Sequence, residues 1–505
     1  MFETAELGQK IPKKEFKSRE RELWTQLLQV QQELRQLGRF QVIIDFAGVH
    51  GGGKVAMLNQ LNRWMDARWL ITRAFQGEVT QEESERPPFW RYWLALPPKG
   101  QIGMYLSGRY SQPLLDQVYE KETSAEFDRR LGHINAFEKA LADDGALLIK
   151  FWMHLSKDAQ KRIYEAQSAD PDTAWQVTER DWKNWNNYDR FIEAAQRIIA
   201  RTSTGEAAWH IVEGEDTYFR SLRVGEIILD SISQHLEDTR IRDKVKSKLQ
   251  QANGNSNGRK AAKPLTSTTV LGNLDMTPSL SKADYREELK AGQGRLAKLQ
   301  REAVARGIST VLVFEGPDAA GKGGAIRRLT GALDASKYRI WPFAAPTDEE
   351  KAQHYLWRFW RCMPRAGRFA IFDRSWYGRV LVERVEGLAT RDEWQRAYAE
   401  INDFEAQLVE GQLVLAKFWI HITAEEQLNR FKAREKTPHK RWKLTEEDWR
   451  NREKWGDYEM AAHDMIQRTN TPQAPWIMVE GNSKPYARIK VIRDVCDRLE
   501  QALAQ

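Results

Sequence analysis

The chain carries two imperfect copies of one sequence, and a duplicated chain has to fold as two copies of one architecture. Shifted by 267 residues, Trp90-Arg91-Tyr92-Trp93 falls on Trp357-Arg358-Phe359-Trp360, and Pro97 on Pro364. At the same offset Lys150-Phe151-Trp152-Met153-His154 falls on Lys417-Phe418-Trp419-Ile420-His421. Thr178-Glu179-Arg180-Asp181-Trp182 likewise meets Thr445-Glu446-Glu447-Asp448-Trp449, and Val212-Glu213-Gly214 meets Val479-Glu480-Gly481. Separate blocks held in one register over this distance exclude coincidence. The 505 residues therefore read as a tandem pair of domains of roughly 230 residues each.

Each copy opens with a short apolar run, Val42-Ile43-Ile44-Asp45-Phe46 and Thr310-Val311-Leu312-Val313-Phe314, of the kind that forms a buried parallel strand. A glycine-rich turn follows each run: Gly48-Val49-His50-Gly51-Gly52-Gly53-Lys54 and Gly316-Pro317-Asp318-Ala319-Ala320-Gly321-Lys322-Gly323-Gly324. These turns align at 268, one residue off the other blocks. Strand, glycine-rich turn, helix is the P-loop arrangement, in which backbone N–H groups and a lysine surround a phosphate.

Within each copy, helices alternate with short apolar strands; in the second the strands are expected at 310–314, 369–373, 413–420 and 476–480. This pattern predicts an α/β fold: tandem duplicated P-loop kinase-like three-layer domains with parallel sheets, and a helical lid on the second. The expected layout is a degenerate domain over 1–238, a linker over 239–280 and a catalytic domain over 281–505. The linker contains Asn253-Gly254-Asn255-Ser256-Asn257-Gly258 and a Ser/Thr-rich run to 269, too polar to build a core. Residues 239–249 are basic and can extend the helix before it.

Hydrophobic content of 41% with 30% charged residues describes a globular chain, and a net charge of +7 favours polyanionic partners. The two cysteines, Cys362 and Cys496, form no CxxC or Cys/His cluster, which excludes a disulfide scaffold and argues against a structural zinc site. With no signal-like N-terminus and no long apolar run, a cytoplasmic location and no membrane partner are expected.

The second copy carries the chemistry. Lys322 is followed by Gly323 and Gly324, so the hydroxyl that usually holds Mg²⁺ is missing, while an acid, Asp318, lies inside the loop. A carboxylate beside phosphates needs a cation between them, so Asp318 is expected to hold Mg²⁺, with Mn²⁺ as an alternative ion. The run Phe369-Ala370-Ile371-Phe372 ends at Asp373-Arg374, placing a second metal-binding acid at the carboxyl end of a strand and an arginine near the phosphates. Gly316, Ala320, Gly321, Gly323 and Gly324 are the loop's phosphate-binding positions. Residues 430–443 hold seven Lys/Arg and one acid. Arg430, Lys432, Arg434, Lys436, Lys440 and Arg441 are expected to form a phosphate-binding lid over about 430–445, suited to a long polyanion. The catalytic set is then Lys322, Asp318, Asp373 and Arg374.

The first copy lacks this equipment. His50 replaces Asp318, the segment Met104-Tyr105-Leu106-Ser107-Gly108 has no acid, and Glu165, Gln167, Ala169, Thr173 and Ala174 replace the lid cations. It keeps Lys54 and the tryptophans, as a retained scaffold would.

These residues resemble the type-2 polyphosphate kinase family. Phe314 to Gly324 is similar to its P-loop, Phe372-Asp373-Arg374-Ser375-Trp376-Tyr377 to its second acidic motif, and the lid with Trp455-Gly456-Asp457-Tyr458 to its later motifs. The resemblance covers the second half strongly and the first in degenerate form. It implies a polyphosphate:AMP phosphotransferase making ADP with Mg²⁺, catalytic in its second domain. Gly378 and Pro317 depart from the asparagine and arginine many relatives carry, which bears on acceptor preference. Phosphorylation of nucleoside diphosphates and an ATP-dependent small-molecule kinase are the alternatives. A nucleic-acid-binding ATPase is disfavoured, because the tryptophans recur in both halves while the basic cluster does not. Two domains in one chain can supply internally a pairing that single-domain relatives form between chains; homo-oligomerisation is left open.

Overall fold

The computed structural model of the chain describes residues 1–75, 79–254, 269–437 and 445–504. Among the described residues, ten strands form two five-stranded sheets. The first sheet contains β1 (Val42–Gly48), β2 (Leu70–Ala74), β3 (Ile102–Leu106), β4 (Leu147–His154) and β5 (Trp209–Glu213). The second contains β6 (Thr310–Glu315), β7 (Tyr338–Pro342), β8 (Phe369–Asp373), β9 (Val414–His421) and β10 (Trp476–Glu480). The spatial orders are β2-β3-β1-β4-β5 and β7-β8-β6-β9-β10, one order repeated, and every pairing is parallel.

Each sheet is covered on both faces. In the first, Val42, Ile44 and Phe46 join one apolar cluster with helices Lys13–Leu37, Lys54–Trp64 and Thr217–Gly254. The alternate face of β1 carries Asp45, whose partner Arg109 reaches Glu138 on helix Ser124–Asp143. In the second, Leu312 and Phe314 pack with helices Lys282–Ala305, Lys322–Thr330 and Lys484–Leu503. These are the three layers that the alternation of elements predicts.

Several repeated sequence blocks now have physical reasons. Lys150 and Lys417 are fully buried, and each donates to a tyrosine, a glutamate and a backbone carbonyl. Lys417 reaches Tyr377 (2.8 Å), Glu405 (2.7 Å) and Thr469 O (2.8 Å); Lys150 reaches Tyr110 (3.1 Å), Glu138 (2.8 Å) and Thr202 O (2.6 Å). A buried ammonium persists only when so surrounded. Thr178 with Asp181, and Thr445 with Asp448, are helix-capping boxes. Gly214 and Gly481 donate to His154 O and His421 O, each at 2.7 Å.

Two features differ from the sequence expectation. β2 and β7 were not anticipated: both are edge strands, largely solvent-facing, so they lack an apolar run, and β7 ends on Pro342, which an edge tolerates. In the 239–280 segment, helix Thr217–Gly254 continues through the basic residues 239–249 as expected, but Thr269 onward, expected as linker, is docked on the second sheet's unit. Contacts group the chain into one unit of Met1–Glu78, Ala95–Ala262 and Ala352–His354, and another of Val79–Leu94, Lys263–Lys351 and Tyr355–Gln505. The segment Val79–Leu94 thus belongs to the second unit, where Glu85 pairs with Arg365 at 2.6 Å and Trp93 stacks on Trp360.

Candidate active site

β6 is the central strand; the chain runs from it to β7 and β8 on one side and then crosses back to β9 and β10 on the other, so the loop after β6 opens at the switch point where ligands bind in open α/β sheets. Gly316 there has φ 143°, and a Cβ would lie 2.3 Å from Ile420 O on β9, so no side chain fits. Ala319 (φ 63°) and Gly321 (φ 115°) complete the turn into helix Lys322–Thr330.

Side chains hold this loop by its carbonyls. Lys322 Nζ donates to Gly316 O (2.6 Å) and Pro317 O (3.2 Å), and Gln427 Nε2 to Asp318 O (3.0 Å). Arg430 Nη1 donates to Ala319 O (2.9 Å) and Ala320 O (2.7 Å), and its Nη2 to Gly481 O and Asn482 O. Because a trans peptide sets C=O and N–H on opposite sides, Gln427 and Arg430, by holding the carbonyls of Asp318 and Ala320, turn the N–H groups of Ala319 and Gly321 the other way. Donors so turned suit an anion.

The acids sit beside this loop. Asp373 ends β8 directly opposite Phe314 of β6. Asp318 accepts from Arg374 Nη2 at 2.7 Å and from Asn451 Nδ2 at 2.9 Å. Burial works to raise the Asp318 carboxyl, yet Arg374, Lys322 and the Asn451 hydrogen bond together bring it below the ordinary carboxylate range. Burial, followed by the charge of Arg374, lowers the Lys322 ammonium, against the pull of Asp318, Asp373 and Glu315. Glu315, bonded to Ser375 Oγ at 2.8 Å, is raised by burial.

Among the described residues no group of three or more His, Cys, Asp or Glu side chains is arranged to hold a metal. Two carboxylates are nonetheless the donor set expected of Mg²⁺, which is bound through one or two acids with the remaining ligands from phosphate and water. Asp318 and Asp373 are the two acids beside the loop that could hold it.

The lid residues divide. Arg430 is buried, and its donors go to loop carbonyls and to Glu426 (2.6 Å), so it braces the cradle. Lys432 and Lys436 are exposed on and just after helix Ala424–Glu435, and Arg434 is near enough to act on Asp318. Lys440 and Arg441 lie outside the described residues. Next to the loop is a cleft with about 60 Å³ of water-accessible space, polar at Asp318, Arg374 and Asn451 and apolar at Leu381, Val382 and Trp419.

Sequence reading missed Glu315, Gln427 and Asn451. A signal existed: Gln427 and Asn451 fall on Gln160 and Asn184 at the 267 offset, and Gln160 likewise donates to the loop, at His50 O (2.9 Å).

The first unit keeps the shape without the acids. Gly48 (φ 123°) abuts Met153 O, and Lys54 Nζ donates to Gly48 O and Val49 O, both at 2.7 Å. His50, in the place of Asp318, bonds Tyr164 Oη at 2.9 Å, and Leu106 stands where Asp373 does.

The family model of polyphosphate kinase 2 matches residues 10–240 and again 279–505. A polyphosphate:AMP phosphotransferase of Pseudomonas aeruginosa is 47% identical, with 99% of each chain covered. One of Acinetobacter johnsonii is 38% identical over 91% of each. A crystal structure from Pseudomonas aeruginosa, described as a candidate polyphosphate kinase 2, superposes with a TM-score of 0.88 at 45% identity over 100% of both chains. A duplicated P-loop fold matched twice along its length by one family model places the chain in the polyphosphate kinase 2 family.

Proposed function

We propose that the chain transfers a phosphoryl group from inorganic polyphosphate to AMP, giving ADP, and that the second unit performs the chemistry. The observation that carries this reading is the set Asp318, Arg374 and Lys322 around the second loop, absent as a set from the first, in a chain similar over its whole length to polyphosphate:AMP phosphotransferases.

An oxygen of the AMP phosphate attacks the terminal phosphorus of the polymer, and the bond from that phosphorus to its bridging oxygen breaks. The polymer leaves one unit shorter, and charge balances without proton transfer when the acceptor is dianionic. A phosphate monoester has its second pKa near 6, so no general base is required. The loop N–H groups and Lys322 hold phosphate oxygens, and Arg374 meets charge on the transferring group. Lys432, Arg434 and Lys436, with Lys440 and Arg441 beyond the described residues, engage the polymer. Mg²⁺, or Mn²⁺ in its place, held by Asp318 and Asp373, supplies neutralisation of phosphate charge when bound. In this reading the enzyme is cytoplasmic. No described helix is long and apolar enough to cross a membrane.

The test is ADP formation from AMP with polyphosphate, Mg²⁺ and no ATP. Lys322→Ala and Asp373→Asn are expected to abolish turnover and Lys54→Ala to preserve it; strict dependence on ATP would overturn the reading. A second acceptor class has one observation behind it. Relatives named for diphosphate acceptors, such as a GDP-polyphosphate phosphotransferase of Mycobacterium tuberculosis, match 44% of this chain at 39% identity. ADP and GDP therefore belong in the same assay.

A further inference from the structure

The residues preceding helix Lys282–Ala305 form a short arm that closes one side of the cleft. Thr269 Oγ1 donates to Glu459 at 2.8 Å and Val270 N–H donates to His463 Nδ1 at 3.1 Å, both partners on helix Trp455–Thr469. Leu274 N–H donates to Leu271 O at 3.2 Å, turning the chain. These anchors put Leu271 into the wall of the cleft, where it is 2% exposed, with Trp419, Trp455 and Tyr458 among its other walls.

The first unit has its own arm, differently finished. Phe2 is 4% exposed and stacks on His154, with ring centroids 4.5 Å apart and planes within 7°. It also lies 5.8 Å from Trp152, and Glu6 accepts from or pairs with His154 Nε2 at 2.8 Å. Trp152 and His154 are the repeat counterparts of Trp419 and His421. A phenyl ring therefore covers in the first unit the pair that, in the second, faces the cleft beside a leucine.

Polyphosphate has no apolar surface, so a substrate that touches the apolar part of this cleft is the acceptor and not the polymer. Aromatic and aliphatic walls beside a phosphate loop match a flat heterocycle joined to a phosphate. We propose that the Thr269–Leu274 arm is part of the acceptor's nucleobase site and that Leu271 is a residue that sets acceptor affinity and base preference. This rests on the AMP-acceptor reading above.

The experiment measures KM for AMP and for polyphosphate, and the AMP-to-GMP ratio of kcat/KM, in the full-length wild type, Leu271→Ala, Leu271→Met and Thr269→Ala. Leu271→Ala is expected to raise KM for AMP on the order of tenfold, about 1.4 kcal/mol, with a much smaller change in KM for polyphosphate and a changed base ratio. Leu271→Met, of similar volume, should restore most of the affinity. Thr269→Ala, which loosens the arm and leaves the wall residue in place, should shift the same two quantities in the same direction. It also carries the test if Leu271→Ala does not fold. An unchanged KM for AMP, or equal rises in both KM values with the base ratio fixed, would show the arm to be packing only and overturn the proposal. A wild type that converts AMP normally while the variants show no split overturns only the arm. A wild type inert toward AMP overturns the acceptor reading and the arm with it.

Discussion

Arg374 donates to Asp318 across 2.7 Å from a backbone held at φ 68°, a conformation that only glycine adopts without strain. Its repeat counterpart Ser107 has φ 53°, so the turn belongs to the fold, while the guanidinium in it belongs to the second unit alone.

Stability and turnover should therefore separate at this position. Arg374→Gly is expected to lower turnover on the order of a thousandfold, the scale of a lost arginine in phosphoryl transfer. Thermal stability should change little, because relief of up to about 1 kcal/mol of strain offsets loss of the half-exposed pair with Asp318, worth up to about 1 kcal/mol. Melting curves beside AMP-conversion rates check this, and an early-melting variant would make Arg374 a structural residue.

The pH dependence of turnover should not follow Asp318. Its carboxyl is held below the ordinary range by Arg374, Lys322 and Asn451 against the effect of burial, so it stays ionised through neutral pH. A depressed acid contributes stability above its unfolded value and loses it as pH falls through the lower folded value. The stability gap between wild type and Asp318→Asn should thus be flat above about pH 5 and shrink only in strong acid. The acid limb of kcat/KM for AMP should instead fall near pH 6, the second ionisation of the acceptor's phosphate.

Lys54 gives the opposite sign. Burial pushes its ammonium down to about 8 from an ordinary 10.5, with no acid among the causes. Between those values the unfolded chain binds more protons than the folded one, so stability rises with pH. At pH 7 the shift represents about 3 kcal/mol of penalty, less about 1 kcal/mol for the carbonyl hydrogen bonds. Lys54→Met should then be more stable than wild type by up to about 2 kcal/mol at pH 7, with the advantage vanishing from pH 8 to 10.5. Denaturant titrations across that range decide it.

The two copies also propose their own double mutant. Arg109 is buried against Glu138 and balanced by Asp45 at 2.9 Å; the second unit has Trp376 bonded to Glu405 at 3.0 Å, and Val313 at the strand position of Asp45. Asp45→Val alone leaves a buried cation with one partner too few and should cost about 3 kcal/mol or more. Asp45→Val with Arg109→Trp rebuilds the second unit's layout and should recover at least about 1 kcal/mol of that loss. Additive costs in a double-mutant cycle would refute the equivalence.

What the sequence disclosed followed from burial and repetition. β6, β8, β9 and β10 read as apolar runs because they lie inside the sheet or pack under helices, and the loops read as glycine patterns because Gly48 and Gly316 abut backbone. Asp373 beside β6 followed from parallel pairing alone. The edge strands β2 and β7 stayed hidden because solvent on their faces removes the pattern. Asn451 and Gln427 stayed hidden because a lone amide on a helix has no signature until its partner, here Asp318, is known. The arm stayed hidden because a single leucine after a polar run looks like more linker.

The bracing of the loop by Arg430 changes how the charge of this chain should be counted. That guanidinium lies in the most basic stretch of the sequence, yet its N–H groups are directed at backbone oxygens and Glu426. A polyanion arriving at the cradle meets less positive charge than the composition implies, but it meets a loop whose backbone is already held. Part of the cation content works as scaffolding, and the attraction it gives up at long range returns as a backbone ordered before contact, which leaves Lys322 and Arg374 to exchange their present partners for phosphate.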